Sequence, residues 1–283
     1  MTVHDLLNDV VNALETAGIP SARLDAEVLL SFYRNCDRLE FLKNPDMLIS
    51  EKQIAGFRNL IARRLRWEPV AYIIGRKEFW TFALAVNKDV LIPRPDTEIV
   101  VEETLAVCRK IDSAEINILD MGTGSGAIAL ALAKEISIAK IVATDISAAA
   151  LAMAKKNALA LKLENNIDFR QGDLFEPVEN KFDIIVCNPP YIAQEEYEKL
   201  PAGVKDYEPE VALLAGKEGT EFYEKLIYQA PGYFKKNGWL LLEIGAKQEK
   251  SVRGLMEESG FYETIEMRRD YAGLPRVMRA RRK

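Results

Sequence analysis

Between Phe182 and Ile192 the chain reads FDIIVCNPPYI, an apolar run that stops at an asparagine, two prolines and a tyrosine. Many turn sequences can end a buried strand, so these four residues invite a chemical reading. Asn188 carries a side-chain carbonyl and Pro189 adds a backbone carbonyl, while Pro189 and Pro190 fix φ and bring no competing N–H. Two acceptors held this way suit a planar NH2 group, whose lone pair is delocalised. As such a nitrogen attacks and turns towards tetrahedral, its N–H bonds point in new directions, and acceptors waiting there stabilise the transition state more than the ground state. Tyr191 adds a ring that can stack on the planar group. The expected catalysis is positioning and polarisation without a strong base, in a chain whose one histidine is the distant His4. Adenine, cytosine, guanine and glutamine all offer a nitrogen of this kind.

Three upstream features indicate what that nitrogen attacks. In LDMGTGSGAIALALA a strand ends at Asp120, and Gly122, Gly124 and Gly126 follow at alternate positions, interleaved with Thr123 and Ser125, before a helix. Glycines there let backbone approach a ligand without a Cβ clash. The spacing is GxGxG, not the GxGxxG of dinucleotide sites, and the GxxxxGK pattern of a triphosphate loop does not occur. Asp145 ends the next strand in KIVATDIS, where a carboxylate can accept from two ribose hydroxyls or cap the following helix. Asp173 in QGDLF follows a third strand, where it can accept from an exocyclic amine while Leu174 and Phe175 cover a purine face. Singly these are a tight turn, a cap and a turn residue. In this order they point to adenosine without pyrophosphate, hence to S-adenosyl-L-methionine. No metal is expected, because Cys36, Cys108 and Cys187 lie far apart with no CxxC.

The elements that must position these residues follow from periodicity. Residues 1–74 read as a helical module: Val3, Leu6, Leu7, Val10, Val11 and Leu14 repeat at helical spacing behind the cap Thr2, and SEKQ from Ser50 has capping-box form. Residues 75–92 turn aromatic and β-branched around NKD and predict a β-hairpin linker. Residues 93–283 open on a helix at PRPDTE and then alternate strand and helix, which predicts an α/β domain with a mostly parallel sheet and ligands at the strands' carboxyl ends.

A net charge of −5 disfavours a general nucleic-acid binder. The basic stretches RNLIARRLRW and MRRDYAGLPRVMRARRK read as solvated faces or partner surfaces. No apolar run reaches a membrane-spanning length, the first residues lack signal-peptide form, and the scattered cysteines fit a reduced, cytoplasmic setting. A chain of 283 residues can act as a monomer.

The order LDMGTGSG, ATDIS, GDLF, NPPY resembles the class I methyltransferases, which implies a Rossmann-like seven-stranded sheet with one antiparallel strand. Over the full chain, EPVAYIIGRKEFW, VLIPRPDTE, YEPEVALLAGKEG and LLLEIG together with NPPYI resemble the protein-(glutamine) methyltransferases that modify peptide chain release factors, the PrmC/HemK family. This resemblance implies methylation of the glutamine of a GGQ motif. It implies that Asn188 to Tyr191 bind the glutamine, and that Gly122 to Gly126, Asp145, Leu174 and Asn188 contact the cofactor. An aromatic is implied where Leu174 stands, which passes the stacking role to Phe175. Leu91 and Ile92 would wall the substrate entrance, with Glu98 as a polar contact. Three alternatives stand beside this reading: a sister enzyme acting on a large-subunit ribosomal protein, a nucleic-acid amino methyltransferase, and a non-catalytic module that holds the cofactor while binding a release factor or ribosome.

Overall fold

The computed structural model describes residues 1–283, apart from the side chain of Leu42. The chain divides into two units, Met1–Arg76 with Pro201–Tyr207, and Lys77–Leu200 with Glu208–Lys283.

The first unit is built of helices Val3–Thr16, Ala22–Arg34, Leu39–Lys43, Glu51–Arg64 and Val70–Ile74. Thr2 with Asp5 and Ser50 with Gln53 form reciprocal capping boxes, satisfying N–H groups that the first turn leaves without partners. Leu6, Leu14, Leu29, Leu30 and Phe57 fill one core. Ser21 does not cap its helix through its side chain. Its hydroxyl donates instead to Asp25 Oδ2 at 2.9 Å, and the same oxygen accepts from Arg64 Nε at 2.7 Å. The segment Pro201–Tyr207 comes from far along the chain to complete this unit: the Tyr207 hydroxyl donates to Arg66 O at 2.7 Å. Gly203 lies so close to Trp67 that a Cβ would stand 2.9 Å from its carbonyl oxygen.

The hairpin differs from the sequence expectation in its turn and in its unit. Its strands are Arg76–Phe79 and Phe82–Ala85, joined through Trp80 and Thr81, with Trp80 at φ 55°. Asn87 and Asp89 of NKD form a separate turn after it, closed by Asp89 N donating to Asn87 Oδ1 at 3.0 Å. Phe79, Phe82 and Leu84 are buried in the core of the second unit, so nearly all of the hairpin belongs there.

That unit is organised by seven strands: β1 (Ile116–Met121), β2 (Ala139–Asp145), β3 (Ile167–Gln171), β4 (Phe182–Cys187), β5 (Phe234–Glu243), β6 (Tyr262–Arg269) and β7 (Pro275–Arg282). Their order is β6-β7-β5-β4-β1-β2-β3, and β7 alone runs antiparallel to its neighbours. Alternate residues of the apolar strands face two cores. Ile118, Ile141, Ile184 and Leu241 enter one, and Leu119, Ile185, Leu240 and Leu242 enter the other. β1 and β4 are neighbours from which the chain winds in opposite directions, so their carboxyl ends frame a crevice. Much of the basic tail is engaged: Arg279 reaches Glu103 at 2.6 Å and Arg281 reaches Glu263 at 2.5 Å, while Arg282 donates to Phe234 O at 3.1 Å. Among the described residues no helix is long and apolar enough to cross a membrane.

Asp25 and Arg64 are 7% and 8% exposed, so removing one strands the other's charge. Asp25→Ala is expected to lower the stability of the first unit by about 3 kcal/mol, and the apolar pair Asp25→Leu with Arg64→Met to restore most of it. Urea unfolding followed by circular dichroism checks both.

Candidate functional site: a cleft at the strand ends

At the end of β1 the backbone enters the left-handed region at Gly122 (φ 69°) and Gly124 (φ 57°), which other residues rarely adopt. A Cβ built at either position meets no protein atom within 4 Å, so the room they leave belongs to the cleft. The turn is pinned from below. Gly124 N–H donates to Asp145 Oδ2 at 2.8 Å, and Asp145 Oδ1 accepts from Ser147 N at 2.9 Å. The helix cap is therefore Ser147, whose hydroxyl accepts from Ala150 N, and Asp145 is left to join the glycine turn to the end of β2. Burial pushes the Asp145 carboxyl up, while the two N–H groups hold it down. Asp120 is 1% exposed. Its Oδ2 takes the Thr123 hydroxyl at 2.7 Å and Ala129 N at 3.1 Å, its Oδ1 has no partner, and burial raises its carboxyl to about 6. Ser125 O accepts from Asn157 Nδ2 at 2.8 Å.

Gly122, Thr123, Gly124, Ser125, Asp145, Asp173, Leu174, Asn188, Pro189, Pro190 and Leu91 all face one cleft. Gly126 lies behind it as the left-handed N-cap of the following helix. Leu174, at φ 46°, turns into the cleft. Phe175 turns away into the core, where its ring stacks on Tyr233 with centroids 4.4 Å apart at 14°, so it does not supply the stacking face expected of it. Ile92 is buried, and its N–H donates to Glu208 Oε2 at 3.1 Å. Glu98 lies away from the cleft because its Oε1 accepts from Trp80 N at 2.8 Å. Tyr191 also falls outside the cleft lining. Its ring packs against the second core and its phenol faces Glu243, with burial and that charge raising it to about 12.

Several positioning groups carried no sequence signal of their own. Glu208, in YEPEVALLAGKEG, uses Oε2 for Ile92 N and Oε1 for Arg94 at 2.5 Å, fixing the wall that carries Leu91. Gln248 is a fully used amide. Its Nε2 donates to Tyr191 O at 2.9 Å and to Gly219 O at 3.0 Å, and its Oε1 accepts from Gly245 N at 2.9 Å and the Tyr223 hydroxyl at 3.2 Å. The segment DYAGLPRVM is a brace. Asp270 closes the β6–β7 turn through Leu274 N and pairs with Arg276, which reaches Ile244 O and Asp96. An acid ending an apolar strand, as Glu243 does in WLLLE, was the one readable hint of this group.

Residues 5–75 match the family described as PrmC N-terminal domain, and residues 102–202 match the Methyltransferase small domain. A release factor glutamine methyltransferase of Rhodopirellula baltica is 39% identical over 98% of this chain and 95% of its own length. One from Geobacter sulfurreducens is 38% identical over 99% and 96%. The chain belongs to the release factor glutamine methyltransferase family. Its catalytic fold is shared more widely. The hMettl16 catalytic domain in complex with MAT2A 3′UTR hairpin 6 aligns with a TM-score of 0.59 at 17% identity, covering 78% of this chain and 81% of that one. The T. thermophilus 16S rRNA methyltransferase RsmC, in complex with AdoMet and guanosine, aligns at 0.52 and 18% identity, covering 74% and 50%.

S-adenosyl-L-methionine is the methyl donor of this enzyme, and the cleft suits it. The open glycine turn, two carboxylates and the apolar Ile146 and Leu174 offer an adenosine its contacts. Among the described residues the one cation in the lining, Arg94, is paired with Glu208. Gln248→Leu removes four hydrogen bonds behind the NPPY loop and is expected to lower turnover about tenfold or more with cofactor affinity within about threefold. Single-turnover rates beside calorimetry test this.

Proposed function

We propose that this protein methylates the side-chain amide nitrogen of the glutamine in a release-factor GGQ motif. The observation that carries the reading is Asn188, at the end of β4 in the cleft: its Nδ2 donates to Thr97 Oγ1 at 3.2 Å, which leaves Oδ1 to accept from a substrate amide. The Pro189 carbonyl supplies the second acceptor, and Pro190 stiffens the loop. Gly122 to Ser125, Asp145, Asp173 and Leu174 hold the cofactor, Leu91 walls the entrance, and the helical residues 1–74 recognise the folded substrate. When bound, the cofactor supplies a methyl group made electrophilic by its sulfonium.

The two acceptors draw the amide N–H bonds out of the plane and expose the nitrogen lone pair, which is the differential stabilisation the reaction needs. No base need be placed beside the nitrogen, because once alkylated it is acidic enough to release its proton to water. The protein substrate is supported further by the acidic partners of Arg276, Arg279 and Arg281, which break up the basic stripe that β7 would otherwise offer to phosphates.

Incubation with labelled cofactor and a release factor, a large-subunit ribosomal protein or duplex DNA tests the reading. Mass spectrometry is expected to place the methyl group on the GGQ glutamine, and label in either of the others alone would overturn it. Asn188→Ala is expected to lower turnover more than about 100-fold with cofactor affinity within about tenfold. Asp145→Ala, by contrast, is expected to weaken cofactor binding measured by calorimetry, and unchanged affinity would refute its role.

A further inference from the structure

An asparagine amide has two ends of nearly equal shape and opposite chemistry. Asn188 serves as an acceptor only if its carbonyl oxygen faces the cleft, and rotation by half a turn would present two N–H donors to the substrate amide instead. Something must hold the orientation, and the one side chain hydrogen-bonded to the Asn188 amide is Thr97, through Oγ1 at 3.2 Å. A hydroxyl can donate or accept, so Thr97 by itself does not choose. Glu243, the last residue of β5, is placed beside Asn188 by the register that sets Cys187 opposite Leu242, and its carboxyl is near enough to feel the Thr97 hydroxyl. Glu243 is 1% exposed, and its Oε2 has no hydrogen-bond partner.

We propose that Glu243, acting through the Thr97 hydroxyl, is a positioning residue that holds the Asn188 carbonyl oxygen towards the substrate. The inference rests on the reading of Asn188 as the substrate's acceptor. An ionised carboxylate only accepts, so it claims the Thr97 proton and leaves the Thr97 oxygen to accept from Asn188 Nδ2, with Oδ1 directed into the cleft. A protonated Glu243 can donate to the Thr97 oxygen, which frees the hydroxyl to donate to Oδ1 and turns the amide the wrong way.

The surroundings place this switch in an accessible range. Burial raises the Glu243 carboxyl to about 7, while Thr97, Arg276 of β7 and the Tyr191 phenol lower it and Asp96 raises it. The one proton of the Tyr223 hydroxyl, on helix Glu221–Gln229, is shared between the Glu243 backbone carbonyl at 3.1 Å and Gln248 Oε1 at 3.2 Å, and the Cys187 thiol of β4 is pushed up, first by burial and further by nearby acids that include Glu243. Because the folded value lies above that of a free carboxyl, the correct wiring is present above about pH 7 and lost as pH falls through it.

The test compares Thr97→Val, Thr97→Ser, Glu243→Gln and Asn188→Ala in single-turnover assays from pH 6 to 8.5, with thermal melts to confirm folding. Thr97→Val is expected to lower the rate about tenfold or more with cofactor affinity unchanged, and Thr97→Ser to recover it to within about threefold. Wild-type rate is expected to rise with pH on an acid limb near 7. Glu243→Gln, whose carbonyl still accepts from Thr97, is expected to lack that limb. The Asn188 side-chain amide resonances should titrate near pH 7 in the wild type and stay fixed in Glu243→Gln. A fully active Thr97→Val beside an inactive Asn188→Ala would overturn this inference and leave the proposed function standing, whereas an active Asn188→Ala would remove both. If Thr97→Val does not fold, a Glu243→Gln profile parallel to wild type overturns the inference alone.

Discussion

The cleft depends on carboxylates buried where the parallel strands end. A chain leaving a sheet carries N–H groups that no neighbouring strand can take, and in a low dielectric each one needs an acceptor. Asp120 serves Ala129 N, Asp145 serves Gly124 N and Ser147 N, and Glu208 serves Ile92 N. Each bond ties one loop of the cleft to the scaffold, so the geometry of the ligand-facing backbone is set by acids that mostly point away from the ligand. Burying them raises the carboxyls of Asp120 and Asp145. That strain is local and is offset by the order it imposes on the turns.

Amides complete what the acids begin. Gln248 joins three segments distant in sequence, around Tyr191, Gly219 and Gly245, because one carboxamide can donate twice and accept twice. Asn157 does similar work beneath the glycine turn, with its Nδ2 on Ser125 O and its Oδ1 taking Ala85 N. The Asp270–Arg276 brace adds the far edge of the sheet to the same support, through Ile244 O and Asp96. The two rigid prolines of NPPY thus sit on a base that is itself fixed by side chains.

Sequence disclosed the parts whose signals are local. Capping boxes at Thr2 and Ser50, alternate glycines after β1 and the apolar run of β4 are each legible within a short window, and the resemblance they carried implied seven strands with one antiparallel, though not their order. Signals that depend on tertiary partners were not. The hairpin turn was hidden because Trp80 takes a left-handed conformation without being glycine or asparagine, and NKD offered a more conventional turn nearby. Phe175 looked equal to Leu174 until the core claimed its ring for Tyr233. Glu98 looked available until Trp80 N took its carboxylate. Gln248 has nothing in its neighbourhood to mark it, since its partners lie 57, 29, 25 and 3 residues away.

The division of the chain also has a temporal meaning. Because Pro201–Tyr207 belongs with Met1–Arg76, the helical unit is discontinuous, and the chain passes between the units three times. During synthesis the first helices emerge early, yet the loop around Trp67 and Arg66 waits for Gly203 and Tyr207, which follow β1 to β4 of the catalytic sheet in the chain. A nascent chain therefore cannot finish its amino-terminal unit first and its catalytic unit second. The two must mature together, and a fragment cut after Arg76 lacks a piece of its own structure.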